Sequence, residues 1–258
     1  MSNVTTDSGE FIQSIERGLA VLSSFSTAHP RLTLSQAAQL TDLSRATARR
    51  ILHTFVTLGY VRSDGKYFEP TPKVLDLGYA YLSSLQLGDI AQPTMEALSD
   101  QVRESVSLAV LDGAEIVYVA RVPTKRIMSI SLALGSRLPA HCTSMGRVLL
   151  AGIPPDALRP MMTVWPLTAR TDRTVVELTK LCAVIGRVRS DGYAVLDQEL
   201  EDGVRSIAVP ISDRSGQVVA ALNIGTQAGR VSLDRLTGEF LPLLTSAAAE
   251  ISSRLAKR

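Results

Sequence analysis

Two cysteines, Cys142 and Cys182, occur among 258 residues. Their spacing matches no zinc pattern, and one possible pair makes no disulfide framework. Free thiols in a reducing cytoplasm are expected. Histidine is as scarce: of His29, His53 and His141, the first two lie within the first sixty residues. A histidine-based metal site would be poor in ligands, and no cofactor motif is present. The formal net charge of +2 is too small to imply nucleic acid by itself. No apolar run approaches the ~18 residues of a membrane span. The opening "MSNVTTDSGE" carries acids and lacks a basic segment followed by an apolar one, so it does not read as a signal peptide. A cytoplasmic protein with no membrane partner and a disordered tail over 1–10 is expected.

Local patterning is richer. "FIQSIERGLAVLSSFS" places Ile12, Ile15, Leu19, Leu22 and Phe25 on one helical face. "TLSQAAQL" follows, with Thr33 and Gln36 spaced for a capping box. After the turn "TDL", Ser44 can cap "SRATARRILHTFVTLG", whose Ala48, Ile51, Leu52, Phe55 and Leu58 form an apolar face, and Gly59 ends it. "YVRSDGKYFEP" reads as two strands about Asp64-Gly65. This predicts a compact module over 11–72 and a linker helix over 73–88. From 89 to 258 a helix is followed by strands ("SVSLAVLD", "AEIVYVARV", "RIMSISLAL"), helices ("TSMGRVLLAG", "TVVELTKLCAVIGRVRSDG"), further strands and a final helix. The mixture, with hairpin turns between strands, predicts an α+β domain on a largely antiparallel sheet.

Helix, turn, helix, hairpin is the outline of a winged helix-turn-helix. Between Leu43 and Lys66 stand Arg45, Arg49, Arg50, Arg62 and Lys66 against the single acid Asp64, a local net of +4 in a nearly neutral chain. Ala46 lets the helix approach base edges, arginine reads guanine bidentately, and Ser44 or Thr47 can reach a base or phosphate. Arg62 and Lys66 suit backbone contacts that position without specifying sequence. The plain alternative is a solvated basic helix in a protein-interaction module.

In the C-terminal part, "AHCTSMGRVLLAG" invites a catalytic reading. His141 and Cys142 are sequence neighbours, and on an extended segment they would point to opposite faces, which argues against a dyad. Two other readings stay open. The helix start at Thr143, Ser144, Met145 and Gly146 offers free N–H groups to an anion, or it is simply capped by Thr143 and packed on the sheet. Arg121 and Arg126 could fork a carboxylate. Met128, Ile130 and Met145 would line a pocket or belong to the core. "VLDQELEDGVRSIAVP", with Asp197, could cover a pocket, and Asn223, alternating with Ala221, could add a polar group.

"SIERGLAVLSSF", "LTLSQAAQLTDLSRATARRILHTFVTLGYV", "GSRLPAHCTSMGRVLLA" and "RSDGYAVLDQELEDGVRSIAVPI" resemble the IclR family of bacterial transcriptional regulators. The resemblance runs through nearly the whole chain. Within the family it is similar to the branch regulating the β-ketoadipate pathway of aromatic catabolism. The resemblance implies a winged helix-turn-helix, a linker helix and a GAF-like effector domain. It also implies a homodimer or dimer of dimers on palindromic double-stranded DNA, and a small carboxylic acid as effector: β-ketoadipate, protocatechuate or 4-hydroxybenzoate. It places the effector at the helix start and at Ser206. An acid often stands in relatives where this chain has Leu196, which implies a pocket for a different ligand. The competing readings are an IclR-type regulator of another small-acid pathway, an enzyme with an appended DNA-binding domain and a DNA-binding scaffold without ligand.

Overall fold

The computed structural model describes residues 11–26, 28–78, 87–124 and 132–257. The chain divides into two compact units, 1–84 and 85–258. The expected tail over 1–10 lies outside the described residues, as does half of the expected linker helix, 79–86. Of that helix, Pro72–Val74 forms a 3-10 turn and residues 75–78 continue helically.

In the N-terminal unit, α1 (Gln13–Ser23) precedes β1 (Leu32–Thr33), α2 (Leu34–Leu40), α3 (Arg45–Leu58), β2 (Val61–Ser63) and β3 (Tyr67–Pro70). The caps foreseen from sequence form. Thr33 Oγ1 accepts from Gln36 N at 3.3 Å while Gln36 Oε1 accepts from Thr33 N at 2.9 Å. Ser44 Oγ accepts from Thr47 N at 3.2 Å and starts α3. Gly59, at φ 80°, ends that helix in the left-handed conformation that glycine enters without Cβ strain. Asp64 Oδ1 accepts from the N–H groups of Lys66 and Tyr67, and these bonds tighten the hairpin turn and lower its pKa. Leu32, Leu52, Val61 and Phe68 close the core with Val21 and Ala37. Each large aliphatic so buried contributes about 1.5–3 kcal/mol.

One expectation falls short here. The sheet has three strands in the order β1-β3-β2, the extra one being the two-residue β1. Along the apolar stripe of α1, Ile12, Ile15 and Leu19 are each more than half exposed, while Leu22 and Phe25 pack against the core beside Val21.

The C-terminal unit opens with α4 (Leu87–Val102), which carries Pro93 in its interior. Its sheet contains β4 (Ser105–Asp112), β5 (Glu115–Val122), β6 (Arg137–Pro139), β7 (Ala194–Asp197), β8 (Val204–Ser212) and β9 (Val218–Gln227). The order is β6-β5-β4-β9-β8-β7, and every pairing is antiparallel. One face carries Val106, Leu108, Ile207, Leu222 and Ile224 against α4 and the C-terminal helix α8 (Leu241–Ala256). The other face carries Ala109, Ala194, Ala208 and Ala221 against α5 (Ser144–Ala151). Alanines on this face let α5 approach closely. Alongside lie α6 (Pro155–Thr163), which periodicity does not announce, and α7 (Leu178–Asp191), which starts at the Glu177 cap rather than at Thr174. "RIMSISLAL" was expected as a strand; residues 125–131 lie outside the described set, and 132–134 are not strand.

Candidate functional site

On α3, Ser44, Arg45, Ala46, Arg49 and Arg50 are exposed, while Thr47 is half-buried. The buried residues Ala48 and Leu52 hold the opposite side to the core. The exposed strip therefore presents small and cationic side chains from a helix whose start is fixed by a cap. The wing is less uniform than its composition suggests. Arg62 is paired with Glu69 across the β2–β3 ladder, so its charge is already answered. Lys66 stays exposed, its Nζ 5.2 Å from the Tyr67 ring centroid. Arg31, absent from the sequence reading, lies 4.5 Å from the same centroid. It precedes β1, whose Thr33 pairs with Tyr67. The missed signal was β1 itself, a strand too short to read.

In the C-terminal unit, the α5-facing surface of the sheet changes character along the strands. The Ala109 and Ala221 register row lies under α5. The next row runs Arg121–Ser107–Asn223–Ala208, and the one after it Ser105–Gly225–Ser206–Leu196. A bulge near Leu108/Ala109 realigns β5 so that both Tyr118 and Arg121 come to this face. Apolar filler thus gives way to polar residues and a glycine, and above them a cavity opens. Its other walls are the start of α5, from Cys142 to Met145, and the loop carrying Glu199 and Leu200.

Several polar atoms that line this cavity are buried and lack a partner among the described residues: Arg121 Nε and Nη1, Ser144 Oγ and Asn223 Oδ1. A buried polar atom left unpaired costs about 1–3 kcal/mol, more when charged. Burial also lowers the pKa of Arg121, with Tyr118 opposing, and raises that of Tyr118 to about 12. A guanidinium held in this way is suited to donate to a carboxylate.

The helix start divides the donors predicted there. Thr143 Oγ1 caps Gly146 N at 3.1 Å, so Gly146 is not a free donor. Its missing side chain answers packing instead: a Cβ would lie 2.1 Å from Ala140 O. Ser144 and Met145 are the first two helical residues, whose N–H groups have no acceptor within the helix.

His141 and Cys142 are not extended. They sit in the 3-10 turn Ala140–Cys142, both buried. Burial lowers the pKa of His141 and pushes the thiol up to about 11, which leaves no thiolate nucleophile near neutral pH. Asp197 is also reassigned. It accepts from Arg205 at 2.7 Å and Arg173 at 3.2 Å, and these partners lower its pKa. The acid in the cavity wall is Glu199, held bidentately by Arg147 at 2.7 and 2.5 Å. Leu196 and Ser206 line the cavity. Arg126, Met128 and Ile130 lie outside the described residues.

A winged helix with an exposed basic recognition helix, followed by a unit whose cavity holds unpaired polar groups, defines a DNA-binding regulator with a ligand-binding domain. Residues 14–65 match the IclR helix-turn-helix domain, and residues 79–253 match the bacterial transcriptional regulator IclR C-terminal domain. The chain belongs to the IclR family and is a transcriptional regulator, not an enzyme. It is 47% identical over 251 residues to the Pca regulon regulatory protein of Pseudomonas putida, covering 97% of this chain and 86% of that one. A regulator structure from Rhodococcus sp. RHA1 is 52% identical with a TM-score of 0.85, covering 95% and 98% of the two chains. An IclR homologue from Microbacterium hydrocarbonoxydans, solved in complex with 4-hydroxybenzoate, is 26% identical with a TM-score of 0.83, covering 94% and 98%. Among the described residues no helix is long and apolar enough to cross a membrane.

Proposed function

We propose that this regulator is controlled by a small carboxylic acid of aromatic catabolism bound in the cavity of the C-terminal unit. The candidates are β-ketoadipate, protocatechuate and 4-hydroxybenzoate. The observation that carries the reading is Arg121, whose Nε and Nη1 are buried without a partner among the described residues, beside the equally unpartnered Ser144 and Asn223. The carboxylate pairs with Arg121. The N–H groups of Ser144 and Met145, with Ser144 Oγ and Asn223, hold the polar far end. Two relatives, a Pca regulon regulatory protein and an IclR homologue complexed with 4-hydroxybenzoate, support this class of ligand. On the DNA side, Ser44, Arg45, Ala46, Thr47, Arg49 and Arg50 enter the major groove of a palindromic operator, with Lys66 on the backbone. A homodimer, or each dimer within a dimer of dimers, presents two such helices. The acid controls DNA binding through its different affinity for two arrangements of the assembly.

The test is an operator gel shift with each acid, followed by calorimetry on Arg121→Ala. At least one acid is expected to alter operator binding. Arg121→Ala is expected to weaken its binding by roughly ten- to hundredfold, the value of a charge-assisted hydrogen-bonded pair. Apo stability should not fall, because the substitution removes groups that burial already disfavours. Unchanged affinity removes Arg121 from the site; no response to any of the acids ends the aromatic-acid reading.

A further inference from the structure

Most glycines of the C-terminal unit have a local explanation. Gly113, Gly135, Gly192, Gly203 and Gly216 stand at positive φ in turns or at a helix end. A side chain on Gly146 or Gly152 would strike Ala140 or Val218. Gly225 has neither reason. It sits inside β9 with no left-handed φ, paired with Ser105 of β4 and Ser206 of β8. A Cβ built on it meets nothing within 4 Å among the described residues. Yet a glycine in a strand interior weakens the strand, through lost chain entropy and the absence of a side chain to pack.

The space over Gly225 belongs to the cavity already described, which Ser105 and Ser206 also line. The two neighbouring residues in the register row bring short side chains, and the glycine brings none. One row away on the same strand stands Asn223, and across the sheet from Asn223, through Ser107, stands Arg121. The sheet therefore offers an anchoring row beside an open floor.

From this we propose that Gly225 is a specificity-determining residue. Its missing side chain makes the floor on which the body of the acid lies while Arg121 holds the carboxylate. The glycine is kept for ligand room, at some expense of strand stability. This rests on the effector reading above.

The experiment is calorimetric titration of full-length wild type, Gly225→Ala and Gly225→Val with 4-hydroxybenzoate, protocatechuate and β-ketoadipate, with melting curves and operator binding measured without ligand. Both variants are expected to melt at or above the wild-type temperature, so that any loss of affinity is read on folded protein. For each acid that wild type binds, Gly225→Val is expected to bind roughly ten- to hundredfold more weakly, as overpacking a filled site does. Gly225→Ala should lie between the two. If wild type binds an acid and Gly225→Val binds it equally well, the floor assignment is overturned and the effector reading stands. If wild type binds none of the acids, the effector reading fails and takes this one with it. If Gly225→Val does not fold, Gly225→Ala decides: its equal affinity to wild type overturns the assignment, and weaker binding supports it.

Discussion

Arg147 and Glu199 are among the most consequential side chains of the C-terminal unit. Arg147 is 4% exposed and Glu199 12%. Arg147 Nε also donates to His141 O, and Glu199 Oε2 accepts from Val175 N at 3.2 Å. The pair joins α5 to the loop that walls the cavity. A buried pair with its spare hydrogen bonds filled adds modest net stability, but removing one partner strands a charge. Glu199→Ala is therefore expected to cost about 3–5 kcal/mol in urea unfolding, with the denaturant slope unchanged. Adding Arg147→Met should recover most of that loss. A single-variant loss below about 1 kcal/mol would show that water reaches Arg147 and that the pair is not buried in solution. Residue-scale detail of this kind was only half legible in the sequence. Asp197 and Glu199 are both acids in one acidic stretch, and composition does not separate them. Gln198, at φ 63° between them, turns the chain so that Glu199 comes to face Arg147 while Asp197 stays with Arg205.

At the scale of elements, local rules served wherever a local interaction decides. The two caps, the Asp64-Gly65 turn and the Gly59 stop involve residues at most four apart, and all were readable. For α1, periodicity reports the stripe and not what covers it: Leu22 and Phe25 pack against the core, while Ile15 and Leu19 are exposed. The cavity was readable in parts. Ser144, Met145, Ser206 and Asn223 were foreseen, but Ser105, Ser107 and Gly225 join them only through strand register. The wing carries a testable asymmetry. Arg62 faces Glu69, whereas Lys66 has no ion-pair partner among the described residues. Lys66→Ala should lower operator affinity evenly across sequences and reduce the salt slope by about 1. Arg62→Ala should change the slope less. Arg45→Ala should instead cost about 1–3 kcal/mol on the specific operator and little on random DNA. Equal losses for Arg45→Ala on both DNAs would move Arg45 from base edges to backbone.

On the scale of the whole molecule, the cores of the two units share no residue: one closes around Leu32, Leu52 and Phe68, the others around the faces of the six-stranded sheet. Separate cores give separate cooperative transitions when few contacts cross between them. Scanning calorimetry of the full chain is expected to resolve two. The proposed ligand contacts lie wholly within 85–258. A ligand stabilises what it binds by mass action, about 2.7 kcal/mol at a concentration one hundred times its Kd. The acid that alters operator binding should therefore raise the transition of the C-terminal unit and leave the other unmoved. Operator DNA should do the reverse. A single transition that both ligands raise equally would mean that the units fold as one cooperative body. Control would then pass through shared stability rather than through a choice between two arrangements of intact units.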